Sequence, residues 1–268
     1  KLIAQTGRVG SHIDVAACTE RGVAVAEGVG SPIAPAELTW ALIMASMRRL
    51  PQYIANLKHG AWQQSGLKSQ SMPVNFGLGS MLRGKTLGIW SYGKIGALVA
   101  SYGKAFGMNV IIWGSDDAQR RAAADGFSLA ASKEALFQQS DILTLHLRLA
   151  PSTEACVTAE DLACMKPTSL LVNTSRAELI EPDALLTSLN RGHPGMAAVD
   201  VFESEPILQG HALLRLENCI CTPHIGFVEQ ENYEAFFSSA FENIVNFIKG
   251  TPTNIVNPGA LQMRRRSN

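Results

Sequence analysis

No stretch of the 268-residue sequence approaches the ~18 consecutive apolar residues of a membrane span, and none reads as a signal peptide. An excess of either charge is lacking too: 23 Lys and Arg offset 23 Asp and Glu, so nothing draws the chain to nucleic acid or to an anionic membrane. The five cysteines are odd in number and form no CxxC pair, which argues against a disulfide framework and against a zinc site. No metal site is expected, and a reducing cytoplasm fits best. Cys219 and Cys221 alternate along a strand-like run and read as small core residues on one side of it. Repeats and low-complexity segments are missing. The run Arg264–Arg266 reads as a frayed, solvated tail.

What is present is a globular composition, 46% hydrophobic and 17% charged, in a length that suits two modest domains. The organising stretch is 84–98, GKTLGIWSYGKIGAL. There an apolar run, Thr86–Trp90, passes through Ser91, Gly93 and Gly96 into a segment with helical spacing at Ile95, Leu98, Val99, Tyr102 and Phe106. Strand, glycine turn and helix in that order let the backbone approach a pyrophosphate, whose charge rests against the free N–H groups and dipole of the helix N-terminus. The reading is a dinucleotide site formed by Ser91, Tyr92, Gly93, Lys94, Ile95 and Gly96, with Ser91 in place of the first glycine of GxGxxG. Gly88–Lys94 also spells GxxxxGK. Residue 95 is Ile, however, where a triphosphate loop needs a magnesium-binding hydroxyl, so that reading ranks behind.

Residues 2–6 and 23–26 read as strands and 12–21 as a short helix. Pro35 opens a helix that Pro51 breaks or kinks, with a second helical piece to about His59. Residues 60–83 show no sustained period and read as a surface loop or arm. From Lys85 onward, strands near 86–90, 109–113, 127–130, 141–146, 169–173, 196–201 and 219–222 alternate with helices near 94–106, 117–124, 132–139, 158–165 and 182–191. That alternation predicts an α/β fold with a parallel, doubly wound sheet. A final helix, about 228–248, is expected to bury Phe236, Phe237, Ala240, Ile244 and Phe247 on one face.

Ligands of such sheets bind beyond the carboxyl ends of the strands. Three successive strands deliver Arg176, Glu205 and His224 there, with Asp200 inside the end of the second. An Arg fork holds a carboxylate through two hydrogen bonds, and a His exchanges a proton near neutral pH. A neighbouring Glu orients the imidazole and favours its protonated form. The combination suits hydride transfer at an α-carbon beside a carboxylate. His146 also ends a strand and reads as structural or as an adenosine-side contact. His12, His59, His193 and His211 receive no role.

The blocks LRGKTLGIWSYGKIG, LLVNTSRAELI, AAVDVFESEP and CTPHIG, in that order, resemble the signatures of D-isomer-specific 2-hydroxyacid dehydrogenases, the group that includes D-3-phosphoglycerate dehydrogenase. The likeness runs over nearly the whole chain. It implies a Rossmann-type domain, 56–226, inserted in a smaller α/β substrate domain, of which 1–55 supplies a part and a connecting helix, and 227–268 the returning helix and tail. It implies that Arg176 binds the substrate carboxylate, that Glu205 pairs with the histidine, and that His224 is the acid/base. Asp200 matches a nicotinamide contact, and Ser115 and Thr174 join the cofactor set. Glu205 argues against the formate dehydrogenase branch, which carries Gln. Gly114 stands where the family usually places an acid that holds the ribose of NAD, with Asp116, Asp117, Arg120 and Arg121 just beyond, so NAD is favoured and NADP is the alternative. Family members also have a further N-terminal stretch, so a chain beginning at Lys1 is expected to be truncated in its substrate domain, intact in motif but compromised in substrate recognition. The expected activity interconverts a D-2-hydroxy acid and its 2-keto acid, in a homodimer to which 60–83 contributes an arm. The alternative is a catalytically silent NAD(H)-binding regulator, like a transcriptional corepressor that shares the fold.

Overall fold

A computed structural model describes residues 1–10, 12–62 and 78–266. Most of the segment read as a loop or arm, 63–77, therefore lies outside the described residues. The chain divides into two compact units: Lys1–Ala34 with Phe227–Asn268, and Pro35–Gly226. In chain order the elements are β1 (Leu2–Ala4), α1 (Val15–Glu20), β2 (Ala24–Ala26), α2 (Ile33–Met47), α3 (Leu50–Lys58), β3 (Thr86–Trp90), α4 (Lys94–Ala105), β4 (Asn109–Trp113), α5 (Asp116–Ala124), β5 (Ser128–Leu129), α6 (Lys133–Gln139), β6 (Ile142–Leu145), α7 (Ala159–Ala163), β7 (Leu170–Asn173), α8 (Ala184–Arg191), β8 (Met196–Val199), β9 (Cys219–Cys221), α9 (Gln230–Ile248) and α10 (Gly259–Arg266).

The larger unit is a seven-stranded parallel sheet in the order β5-β4-β3-β6-β7-β8-β9. Its central strands are apolar at most positions because helices cover both faces. Alternate residues serve opposite sides: Ile142, Leu170 and Val172 join one buried cluster with Leu87, Ile89 and Ile112. Leu143, Leu145 and Leu171 join the other with Phe137 and Leu162. Each such aliphatic side chain contributes about 1.5–3 kcal/mol by leaving water. Polar caps open α5, α6 and α7. Ser115 and Ser132 accept the N–H of Ala118 and Ala135, and Thr158 with Asp161 forms a reciprocal capping box.

The chain winds outward from β3 to β4 and β5, then returns to pair β6 against the other side of β3. That reversal leaves a crevice beyond the ends of β3 and β6, the place where such sheets take nucleotides. The helix expected to break at Pro51 breaks two residues earlier, at Arg49, whose φ of 54° ends α2. Pro51 then sits in the first turn of α3, where its missing N–H has no helical partner to lose.

The smaller unit pairs β1 and β2 in parallel and packs α1, α9 and α10 around them. Its interior is held by buried asparagines. The Asn257 Oδ1 accepts the Val25 N–H at 2.7 Å, and its Nδ2 donates to Thr19 Oγ1 and Val23 O, each at 3.0 Å. The Asn243 Nδ2 donates to Glu27 O, while its Oδ1 accepts from Thr253 and Asn254. Asn232 Oδ1 accepts from the Ser31 N–H. Two sequence expectations are corrected here. The inner face of α9 runs through Asn232, Phe236, Ala240, Asn243 and Phe247, so Phe237 and Ile244 point outward, Phe237 being 50% exposed. The tail is not frayed backbone: residues 259–266 are helical and pack near α1, with Ala260 buried.

Replacing Asn257 by Ala strands the buried Val25 N–H and Val23 carbonyl, at about 2–4 kcal/mol in all. Amide exchange at Val25 is expected to accelerate accordingly. A Val25 amide as protected in Asn257→Ala as in the parent chain would show that the asparagine does not hold β2.

Candidate active site

At the end of β3 the chain turns through Ser91–Gly93 into α4. Ser91 has φ +83°, where glycine is at ease and an L side chain is strained by roughly 1–3 kcal/mol. The serine has thus kept the backbone shape of the glycine it replaces. Its N–H donates to Trp113 O at 2.7 Å, and a Cβ on Gly114 would lie 3.3 Å from Ser91 Cα and 3.3 Å from Ala118 Cβ. The glycine at 114, where an acid is usual, therefore has a steric role in supporting the turn. A Cβ on Gly96 would come within 2.4 Å of Ser91 O, so the start of α4 lies directly against the same turn. Gly93 caps α4 with no side chain, and the space beside it is open. The first N–H groups of the helix are left for a ligand.

The fingerprint residues divide by what they offer. Lys94 is exposed at the helix start, and Ile95 packs on the core. Tyr92 is buried, its hydroxyl donating to Asp125 at 2.7 Å; burial first, then that hydrogen bond, pushes the phenol up to about 12. Tyr92 and Ile95 can therefore present only backbone to a ligand. Gly88, which would open a triphosphate loop, lies inside β3 and pairs with Ile111 and Leu143, so GxxxxGK forms no loop.

His146 follows β6, and its N–H donates to Trp90 O at 3.0 Å, beside the glycine turn. Its Nε2 is buried with no hydrogen-bond partner, and burial holds the ring's pKa down at about 4. A neutral ring with an orphaned nitrogen at the reversal point is a partner waiting for a polar ligand group. Ser115 uses its Oγ to cap α5, and Asp117 pairs with Arg120 and Arg121 on the exposed face of that helix. With a glycine turn, an uncapped helix start and a lone imidazole in one crevice, these residues fit a dinucleotide. Among the described residues no cluster of His, Cys, Asp and Glu could hold a metal ion, and no helix is long and apolar enough to cross a membrane.

The strand ends beyond β7, β8 and β9 carry the remaining chemistry. His224 Nδ1 lies 2.5 Å from Glu205 Oε2, the pair open to solvent on one side, and Glu205 Oε1 accepts the Phe202 N–H at 2.9 Å. Desolvation raises the Glu205 carboxyl, but the hydrogen bonds from His224 and Phe202 and the charges of His224 and Arg176 outweigh it, leaving the group below its ordinary value. Glu205 is thus a carboxylate facing an imidazole, with the Arg176 charge near enough to act on it. His224 has φ +53°. Its turn is held by Asp200, buried at the end of β8: Oδ1 accepts from Thr222 Oγ1 at 2.6 Å and the Ile225 N–H at 2.8 Å, and Oδ2 accepts the Gly226 N–H at 2.8 Å.

Two residues escaped the sequence reading. Asn173, the polar end of an apolar strand, receives the Ser175 N–H on Oδ1 and donates from Nδ2 to Arg176 O, so it shapes the loop that presents Arg176. An amide closing the apolar run LLVN was the readable signal. Thr39 of α2, buried, pairs with Thr174 through their hydroxyls at 2.7 Å. No local pattern marks that contact, which joins positions 135 residues apart. The guanidinium of Arg176 is exposed and donates to Ser175 O.

The family described as D-isomer specific 2-hydroxyacid dehydrogenase, NAD binding domain, matches residues 40–226. A glyoxylate reductase of Aeropyrum pernix is 37% identical over 267 residues, a match covering 99% of this chain and 78% of that protein. A D-3-phosphoglycerate dehydrogenase of Methanocaldococcus jannaschii is 37% identical over 259 residues, covering 96% of this chain and 47% of that protein. Among solved structures, an oxidoreductase from Ralstonia solanacearum is 63% identical with a TM-score of 0.91, over 97% of this chain and 78% of that one.

The His146 ring sets a pH dependence of known sign. Its pKa falls from 6.5 in the unfolded chain to about 4 in the folded one, so the unfolded state alone binds the proton between those values. Its contribution is complete above pH 6.5 and is lost as the pH falls towards 4, to an extent of about 3 kcal/mol. The urea midpoint is expected to drop between pH 7 and pH 5, and to drop less in His146→Asn. An equal drop in both proteins would place the acid sensitivity elsewhere.

Proposed function

Because the chain belongs to the D-isomer-specific 2-hydroxyacid dehydrogenase family, NAD-dependent oxidoreductases that interconvert a D-2-hydroxy acid and its 2-keto acid, we propose that Arg176, Glu205 and His224 carry that reaction here. The carrying observation is the Glu205–His224 pair at 2.5 Å beside the cationic Arg176. Residues proposed to hold the cofactor are the Ser91–Gly96 turn, through backbone N–H groups, together with Ser115, His146, Thr174 and Asp200. NAD supplies or accepts the hydride when bound. Arg120 and Arg121 are both engaged by Asp117, which favours NAD over a cofactor with a further phosphate.

Arg176 binds the substrate carboxylate as a fork and draws electron density from the neighbouring carbonyl. With Nδ1 turned to Glu205, the proton that moves is the one at Nε2 of His224: it passes to the carbonyl oxygen in reduction and returns from the hydroxyl in oxidation. Glu205 keeps the ring's orientation and balances the charge of the imidazolium. Asp200 secures the turn, so the imidazole does not have to be ordered at the moment of reaction. The substrate is a short 2-keto or D-2-hydroxy acid of the kind named in the relatives: glyoxylate, hydroxypyruvate or D-3-phosphoglycerate. The units Pro35–Gly226 and Lys1–Ala34 with Phe227–Asn268 are proposed as the cofactor and substrate domains.

The assembly we propose is a homodimer in the cytoplasm. Support comes from α3, where Leu50, Ile54 and Leu57 are exposed beside a groove of about 170 Å³ lined by Tyr53, Asn56, Leu57, Ala61 and Trp62. An apolar stripe of this kind is a candidate self-association surface. Light scattering across a concentration series is expected to give twice the chain mass, and a strictly monomeric mass removes the dimer.

Consumption of NADH with these keto acids tests the chemistry. His224→Ala is expected to lower kcat by roughly 10²–10⁴-fold. Arg176→Ala is expected to lower kcat/KM by about tenfold or more, chiefly through KM. Binding of NADH with no turnover on any of the keto acids would overturn the proposed reaction, and undiminished turnover in His224→Ala would overturn the assignment of the acid/base.

A further inference from the structure

Outside this site, a pair of thiols among the described residues stands close together. Cys219 and Cys221 project to the same face of β9, with Sγ atoms 3.8 Å apart and both side chains partly accessible. We propose that they form a redox-active dithiol, a site of oxidation by small hydroperoxides, whose closure to a disulfide disturbs the turn that carries His224. The effect on turnover rests on the function proposed above; the thiol chemistry does not.

Three features of β9 support this. The strand is three residues long and lies at the edge of the sheet, paired only with β8, so it can pucker without breaking a second ladder. At about 3.3 Å per residue, Cα atoms two apart in a strand are separated by about 6.6 Å, just inside the span a disulfide bridges. Closing the remaining gap between the sulfurs shortens the strand, and the strain makes the bond easy to reduce again. The two thiols are also unlike. The hydrogen bond between the two sulfurs holds the Cys221 thiol below its ordinary value against the opposing effect of burial, and the same bond together with burial pushes Cys219 well up. Cys221 is therefore the nucleophile and Cys219 the resolving thiol.

The Cys221 thiolate attacks the outer oxygen of the hydroperoxide, the O–O bond breaks, and an alcohol leaves with Cys221 as sulfenic acid. Cys219 sulfur then attacks Cys221 sulfur, the S–O bond breaks and water departs. Two thiols and one hydroperoxide thus give one disulfide, one alcohol and one water. For hydrogen peroxide the alcohol is a second water. Thr222, next in the chain, bonds Asp200 at 2.6 Å, and Asp200 also holds the N–H groups of Ile225 and Gly226. Contraction at Cys221 pulls on that anchor, and the His224 turn loosens.

Cleavage after Arg215 and Lys249 yields a peptide, 216–249, that contains Cys219 and Cys221 and no other cysteine. The intact chain is treated with hydrogen peroxide, its remaining thiols are alkylated, and this peptide is weighed without reduction. The expected product is unalkylated, lighter than the dithiol form by the mass of two hydrogens, and restored by dithiothreitol. Dimedone is expected to trap a sulfenic acid on Cys221 in Cys219→Ser and none on Cys219 in Cys221→Ser. Faster amide exchange at Ile225 and Gly226 after oxidation reports the loosened turn whether or not the chain turns over. Keto-acid reduction is expected to fall at least tenfold and to recover on reduction, while a Cys219→Ser, Cys221→Ser chain keeps its rate in peroxide. Two alkylated cysteines after oxidation, or pairing of either with Cys18, Cys156 or Cys164, would overturn the dithiol. A disulfide that leaves the Ile225 and Gly226 amides unchanged would overturn its link to the turn. A chain inactive before oxidation would instead fault the proposed reaction, and the mass and exchange results would still decide the thiol pair.

Discussion

The winding of the parallel sheet reverses at β3, and most of what this chain can do follows from that reversal. With β4 on one side and β6 on the other, the connections leave β3 in opposite directions, the arrangement beyond whose strand ends such sheets take ligands. Every strand of a parallel sheet points its carboxyl end the same way, so the loops after β3, β6, β7, β8 and β9 collect along one edge. Ser91, His146, Arg176, Glu205 and His224 lie in those loops. Because the strands are buried on both faces, their side chains are committed to packing, and polar chemistry is confined to the loops that follow them.

At that edge, polar groups are held by other polar groups rather than by the core. Asp200 spends its carboxylate on Thr222, Ile225 and Gly226, and Asn173 spends its amide on Ser175 and Arg176. Both are buried and sit one strand apart, each at the end of its strand. Burying an acid or an amide without partners would cost several kcal/mol, so each must find the backbone of its neighbouring loop, and in doing so sets that loop's shape. Asp200 thereby serves His224 through the turn that carries it. One free lone pair on Oδ2 is compatible with a cofactor contact as well.

Much of this architecture is visible in the amino-acid pattern. Short apolar runs such as ILTL and LLVN can only be buried strands when helices with Ser and Thr caps lie between them, and GKTLGIWSYGKIG announces strand, turn and helix in thirteen residues. The positions of Arg176, Glu205 and His224 after successive runs made their gathering at one edge readable. Other features depend on partners far away in the chain. That Asn232, Asn243 and Asn257 would be buried, while Phe237 and Ile244 would face outward, follows from backbone groups more than 200 residues earlier that need acceptors and donors, as Val25 does from Asn257. Hydrophobic periodicity favours the phenylalanines and has no means of registering that need. Tyr92 is a similar case: its place in a nucleotide fingerprint says nothing of Asp125 and Phe127, which claim the ring.

Two of the strained backbone positions lie at this strand-end edge. Ser91 and His224 both occupy the left-handed region of backbone space without being glycine. Each conformation costs on the order of 1–3 kcal/mol and persists only because its surroundings leave no alternative. For Ser91 the surroundings are Trp113 O, the bare Cα of Gly114 and the close approach of Gly96. For His224 they are Glu205 on the ring and Asp200 on the following amides. The first set is made of backbone and glycine, and is rigid. The second is made of side-chain hydrogen bonds, anchored in part on Thr222 at the end of a three-residue edge strand. The edge thus pairs a floor of backbone and glycine at the start of α4 with a His224 turn whose setting depends on a few side-chain contacts, and it is this asymmetry that the proposed closure of the β9 thiols would act through.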